Sequence, residues 1–152
     1  SVQPIYSYCK NMEELRQDVA IQVKCFIKEY LASHLDKKDP FRSTGQAYIQ
    51  LTKEEPHLFK IFILHKRNGI SSLEDLYQTE ADEQIPIFLS QHFNISITQA
   101  KQLHLDMLIY TIGIGTIFSV TTPGISSDEI LAQQERIYQI LIKNILEGNH
   151  ES

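Results

Sequence analysis

ILAQQERIYQILIKNIL, residues 130–146, is the stretch on which the fold turns. Set out at 100° per residue, Ile130, Leu131, Ile137, Tyr138, Ile140, Leu141, Ile142, Ile145 and Leu146 occupy an arc of roughly 240°, against the ~100° stripe of a helix with one buried face. One packing surface is too narrow for such an arc. The pattern predicts a helix that packs inward on one side and against a second subunit on the other. Ser126, Ser127, Asp128 and Glu129 supply its amino-terminal cap.

The segment before it, residues 100–120, is apolar nearly all round in its second half and ends at Thr121-Thr122-Pro123-Gly124. Its run MLIYTIGIGTIFSV, residues 107–120, falls short of the roughly 20 residues a spanning helix needs, and His104 and Asp106 interrupt its extension. It is expected to be a buried helix, with no membrane partner.

Working toward the amino terminus, Asn11 followed by Glu14 forms a capping-box-like start, so a helix is expected from Met12 to near His34. Leu15, Val19, Val23, Phe26, Ile27, Tyr30 and Leu31 recur on its apolar side. Pro40 and Pro56 suit the first turns of two short helices, the second closing at Arg67-Asn68-Gly69. Ser71 and Ser72 open a further helical stretch that Pro86 kinks or splits. No segment alternates with period two, so the class is all-α with about seven helices.

With 152 residues, 42% apolar and 22% charged, the chain is one domain's worth of ordinary globular sequence. Its 14 basic and 19 acidic residues leave a net charge of −5, which argues against this piece being a nucleic-acid surface by itself. Cys9 and Cys25 form neither a CxxC nor a zinc-ligand set, so a reducing, cytoplasmic setting with buried or inert thiols is expected.

Signals for catalysis are weak. The six histidines show no HxxxH or HExxH spacing, so no metal site is assigned, nor any cofactor. Gly113-Ile114-Gly115 lacks the third glycine of a dinucleotide fingerprint, Phe118 standing in its place, and no strand precedes it; small residues for close helix approach explain it better. The chain is therefore not expected to be an enzyme. Tyr48, Phe59, Phe62, Ile63, Tyr77, Phe88, Met107, Tyr110 and Thr111 come from several helices. They suit either an ordinary core or an apolar pocket with a few orienting polar groups, the usual build of a small-molecule site.

SVQPIYSYCKNMEEL, residues 1–15, resembles the end of the helix-turn-helix of the TetR/AcrR family of bacterial transcriptional regulators. Ser1-Val2, Tyr6, Tyr8, Lys10-Asn11 and Glu13-Glu14-Leu15 carry the likeness, and AYIQLTKEEPHLFKIFI, residues 47–63, adds to it. Met12 and Cys9 depart from that pattern, where relatives often carry a lysine and an aromatic.

The resemblance implies a division into residues 1–11, the remnant of a DNA-binding head whose first part lies upstream; 12–148, a helical ligand-binding and dimerisation domain; and 149–152, a tail. It further implies a homodimer in which the final two helices of each subunit form a four-helix bundle, with Ile112, Thr116, Ile130, Ile137, Leu141 and Ile145 at the interface. Gln3, Pro4, Tyr6, Ser7 and Lys10 would contact operator DNA. The function implied is a ligand-responsive DNA-binding transcriptional regulator, a repressor, sensing a small lipophilic molecule. A helical small-molecule or lipid-binding module with no DNA role is the alternative.

Overall fold

A computed structural model describes residues 11–121 and 124–148, so Gln3, Pro4, Tyr6, Ser7, Lys10 and Cys9 lie outside the described residues. Seven helices and no strand occur among them: α1 (Met12–Ser33), α2 (Pro40–Glu54), α3 (Pro56–Leu64), α4 (Leu73–Glu80), α5 (Gln84–Phe93), α6 (Ile97–Val120) and α7 (Ser127–Gly148). The domain is all-α, as the absence of alternating sequence required.

Local chemistry sets most boundaries. The Asn11 side chain accepts from the Glu14 N–H at 2.9 Å and starts α1. Asp39 caps α2, with Pro40 in the first turn where a missing N–H costs nothing. Reciprocal capping boxes, Ser72 with Asp75 and Ser96 with Gln99, open α4 and α6. The stretch around Pro86 is split rather than kinked, because Ala81, Asp82 and Glu83 break it and Pro86 falls in the first turn of α5.

The end of α3 differs from expectation. The helix stops at Leu64, well before Gly69, because Arg67 folds back over it and donates to the carbonyls of Phe62 at 3.1 Å, Ile63 at 3.1 Å and His65 at 3.3 Å. These are carbonyls a helix end leaves without partners, and a cation there also meets the negative end of the helix dipole. Glu80, its side chain 5% exposed, holds Arg67 in place at 2.9 Å and draws Lys24 to 3.6 Å, joining α1, α3 and α4.

The central element is α6, which packs against α2, α3, α5 and α7. It runs from Ile97 rather than residue 100, and by length and composition alone it is apolar enough to cross a membrane, although only 33% of its most apolar window is buried inside the domain. Helix α7 returns antiparallel to it, Phe118 clustering with Ile130 at one end and Leu103 with Ile142 at the other. Between α1, α2 and α3 lies a second cluster of Val23, Ile27, Leu51, Phe59 and Phe62.

Two sequence expectations change here. The first half of α1 stands clear of the core: Val19 is 40% exposed, Ile21 57%, and burial begins at Val23. The broad arc of α7 is largely covered within the chain, with α6 on one flank and α2 on the other. Ile130, Tyr138 and Ile142 are buried, Ile137, Leu141 and Ile145 half-buried, and Ile140 half-exposed. Cys25, expected to be a buried or inert thiol, is exposed and in no disulfide.

Glycine decides how closely α6 is approached. A Cβ built at Gly115 would lie 2.9 Å from Thr52 Cγ2 and 3.2 Å from Phe59 Cζ, both on fully buried side chains, whereas one at Gly113 meets nothing within 4 Å. Overpacking costs about 1–3 kcal/mol and better helix propensity returns up to about 1 kcal/mol. Gly115→Ala is therefore expected to lose about 1 kcal/mol in urea unfolding while Gly113→Ala gains up to about 1 kcal/mol. Equal effects at the two positions would contradict this packing.

Candidate ligand cavity

Beneath the junction of α2, α6 and α7 lies a cavity of about 60 Å³. Its apolar wall includes Phe41, Ile85, Met107, Leu108 and Leu131, and its polar wall Arg42, Tyr48, His104, Thr111, Gln134, Glu135 and Tyr138. One water needs roughly 10–15 Å³ of such space and a benzene-binding cavity offers about 150 Å³, so this one has room for a few waters or a short-chain molecule.

Gln134 ties the three helices together. Its amide Nε2 donates to the Gly45 carbonyl on α2 at 3.2 Å and to Thr111 Oγ1 on α6 at 3.0 Å. The approach is close, since a Cβ at Gly45 would sit 3.1 Å from Nε2 and the amide would have to give way slightly.

Arg42 closes the rim. Nε and Nη2 donate to the two carboxylate oxygens of Glu135, each at 3.0 Å, and Nη1 donates to Asp39 Oδ2 at 2.7 Å. The guanidinium lies 4.6 Å from the centre of the Tyr138 ring, a cation–π distance. The Glu135 hydrogen bonds push the Arg42 pKa up from its ordinary value, with Asp39 adding and burial opposing. In return, hydrogen bonding from Arg42 holds Glu135 below the usual carboxylate range. The charges at the cavity are thus already paired with one another.

At the inner end, the Tyr77 hydroxyl and His104 Nδ1 stand 2.9 Å apart, joining the otherwise lightly packed α4 to α6. Burial pushes His104 down to about 4, with Asp82 pulling weakly the other way. Burial, helped by Glu74 and Asp82, raises Tyr77 to about 12. Near neutral pH this is a pair of uncharged groups.

Of the nine residues assigned to a pocket from sequence, Tyr48, Met107 and Thr111 line the cavity. Tyr77 stands one step behind it through His104. Phe59, Phe62 and Ile63 belong instead to the α1–α2–α3 cluster, Tyr110 packs on the outside of the main core, and Phe88 stacks on His92 with ring centres 5.2 Å apart. Aromatic content alone found core more often than cavity. Arg42, Gln134 and Glu135 escaped notice, although Gln134 carried a signal: it is the polar residue at the middle of the apolar arc of α7, one turn from Ile130 and one from Tyr138.

Outside the cavity, two apolar surfaces lie open. One is the stripe on α6 formed by Ile109, Gly113, Thr116, Ile117 and Val120, and Ile140 of α7 is exposed as well. The other is a groove between α1 and α3 lined by Val19, Ile21, Ile61 and Leu64, with Arg16, Lys60 and Lys66 on its walls. Among the described residues no three His, Cys, Asp or Glu side chains gather as a metal site would require. Searches for a matching protein family, a similar curated protein or a similar solved structure find none for this chain.

The His104 shift has a consequence for stability. Between about pH 6.5 and about pH 4 the unfolded chain takes up a proton on this histidine and the folded chain does not, so stability falls as pH drops through that window. The full effect is on the order of 3 kcal/mol. His104→Gln, which keeps a hydrogen-bonding group near Tyr77, is expected to lose correspondingly less stability between pH 7 and pH 4 in chemical unfolding. Parallel pH profiles for wild type and variant would refute a buried neutral His104.

Proposed function

We propose that this chain is the regulatory domain of a ligand-responsive, DNA-binding transcriptional regulator that acts as a repressor homodimer. The observation that carries the reading is the cavity, held between α2, α6 and α7 and roofed by the two helices that also bear the open apolar stripe. A ligand that rearranges Gln134 or Arg42 moves α7 against α6, and so bears on anything that packs across them. Support also comes from the likeness of residues 1–15 to a TetR/AcrR recognition helix.

In this reading the stripe of Ile109, Gly113, Thr116, Ile117, Val120 and Ile140 meets its own copy about a twofold axis, and α6 and α7 of two subunits form the bundle. Of the six interface residues assigned from sequence, Thr116 is exposed and Ile112, Ile137, Leu141 and Ile145 are half-buried, whereas Ile130, at 3% exposure, is spent in the core against Ile49 and Phe118. The exposed first half of α1 and the groove beside α3 then form the seat for a DNA-reading head. Two such heads would enter successive major grooves of a palindromic operator. Ligand binding would shift the population away from the DNA-competent arrangement by its differential affinity for the two forms.

Ile117 is 55% exposed and faces away from the core, so Ile117→Glu spares the fold and places a charge on the stripe. Sedimentation equilibrium at micromolar concentration is expected to show a wild-type dimer and an Ile117→Glu monomer with unchanged helical circular dichroism. A monomeric wild type would remove the dimer from the proposal.

The decisive experiment is on the whole gene product, its coding sequence read upstream of Ser1 and its DNA preference determined by selection from random duplexes. A basic helical segment and a palindromic consensus are expected. Their absence would favour the alternative, a helical small-molecule or lipid-binding module.

A further inference from the structure

Resting on the reading of this domain as a ligand sensor, we propose that the cavity selects an uncharged molecule of short-chain size that carries a hydroxyl or amide, and discriminates against organic anions and cations. The argument comes from which polar groups around the cavity are committed and which are not. Arg42 is committed to Glu135 and Asp39 through charge-assisted hydrogen bonds, so an organic anion must displace a carboxylate to reach it. Glu135 is held by Arg42 and by Gln139 at 2.7 Å, so an organic cation must do the reverse. Either exchange breaks a good ion pair to make another, while the ligand also gives up its hydration.

Several deeply placed side chains keep an uncommitted atom, His104 at Nε2 among them, and two of these side chains stand one turn apart on α7. Tyr138 is 2% exposed and Gln134 6%, both line the cavity, and no described residue hydrogen-bonds the Tyr138 hydroxyl or Gln134 Oε1. Neither atom is sealed within protein, and both side chains belong to the cavity wall. Groups so deeply placed are normally partnered, and a partner with one donor and one acceptor suits them both. A ligand hydroxyl can donate to Gln134 Oε1 and accept from Tyr138, while its hydrocarbon part lies among Phe41, Ile85, Met107 and Leu131. Burial raises the Tyr138 phenol above its ordinary pKa, so it remains a donor throughout the neutral range.

Four probes of one size test this on the chain as it stands: 1-propanol, 1-chloropropane, propionate and propylammonium, each titrated by amide chemical-shift perturbation. 1-Propanol is expected to bind about tenfold tighter than 1-chloropropane, the difference one good hydrogen-bonding site makes, and tighter than either ion. Tyr138→Phe keeps the ring under Arg42 and is expected to remove most of the alcohol's advantage while 1-chloropropane still binds, which shows that the cavity remains intact. Gln134→Met is expected to do the same. Glu135→Gln, which leaves Arg42 less neutralised, is expected to raise propionate binding relative to the alcohol.

The proposal is overturned if either ion binds the wild type as tightly as 1-propanol, if the alcohol's advantage survives both Tyr138→Phe and Gln134→Met, or if none of the four probes binds. DNA selection with the whole gene product uses none of these probes. Its failure would therefore overturn the regulator and leave the probe ranking standing, and the converse also holds.

Discussion

Helix α6 can lie against α2 and α3 together only because position 115 carries no Cβ. Thr52 and Phe59 fill the space a side chain would take, and both are themselves locked into the core. That contact sets how deeply α6 sits, and so how much of it remains for α5 and α7. The cavity follows from it: with α6 drawn toward α2 at Gly115, the two helices bracket Gln134, and Gly45 lets its amide come in from α7. Two glycines thus perform different tasks, one fixing a helix crossing and the other admitting a polar side chain to the interior.

The polar groups of the interior share one logic. Burying a charge is costly unless it is paired, and the domain pairs its charges or keeps the groups neutral. Arg42 meets two carboxylates at the rim, Glu80 meets two cations where α1, α3 and α4 converge, and His104 is held uncharged beside the Tyr77 hydroxyl. Each arrangement also joins elements distant in sequence. The short helix α4, which has little apolar contact of its own, is held by Tyr77 on one turn and Glu80 on the next.

Much of the fold was legible because helix starts are local chemistry. Asn11 and Ser72 place a side-chain acceptor where early N–H groups lack partners, and that geometry needs only a few neighbouring residues, although the caps at Asp39 and Ser96 went unread and the helix after Ser96 was expected three residues late. Where a distant residue intervened, local reading slipped. Arg67 ended α3 early by reaching back over it, held there by Glu80 from another helix. The arc of α7 was read correctly as too wide for one surface, but α6 and α2 of the same chain supply most of the cover, leaving less for a second copy than the arc alone suggested.

The sequence by itself determined the helical class, the number of helices and most of their starts, since periodicity and capping act within a turn or two of chain. It also held, unread, the anomaly of Gln134, a polar residue centred in an apolar arc. Which aromatics are core and which line a cavity was decided only by the tertiary structure, because Phe59 and Phe41 are equally apolar in sequence and differ solely in what packs around them. The same holds for charge: Arg42 and Glu135 lie 93 residues apart, and nothing short of folding α7 across the start of α2 could show that each neutralises the other at the mouth of the cavity.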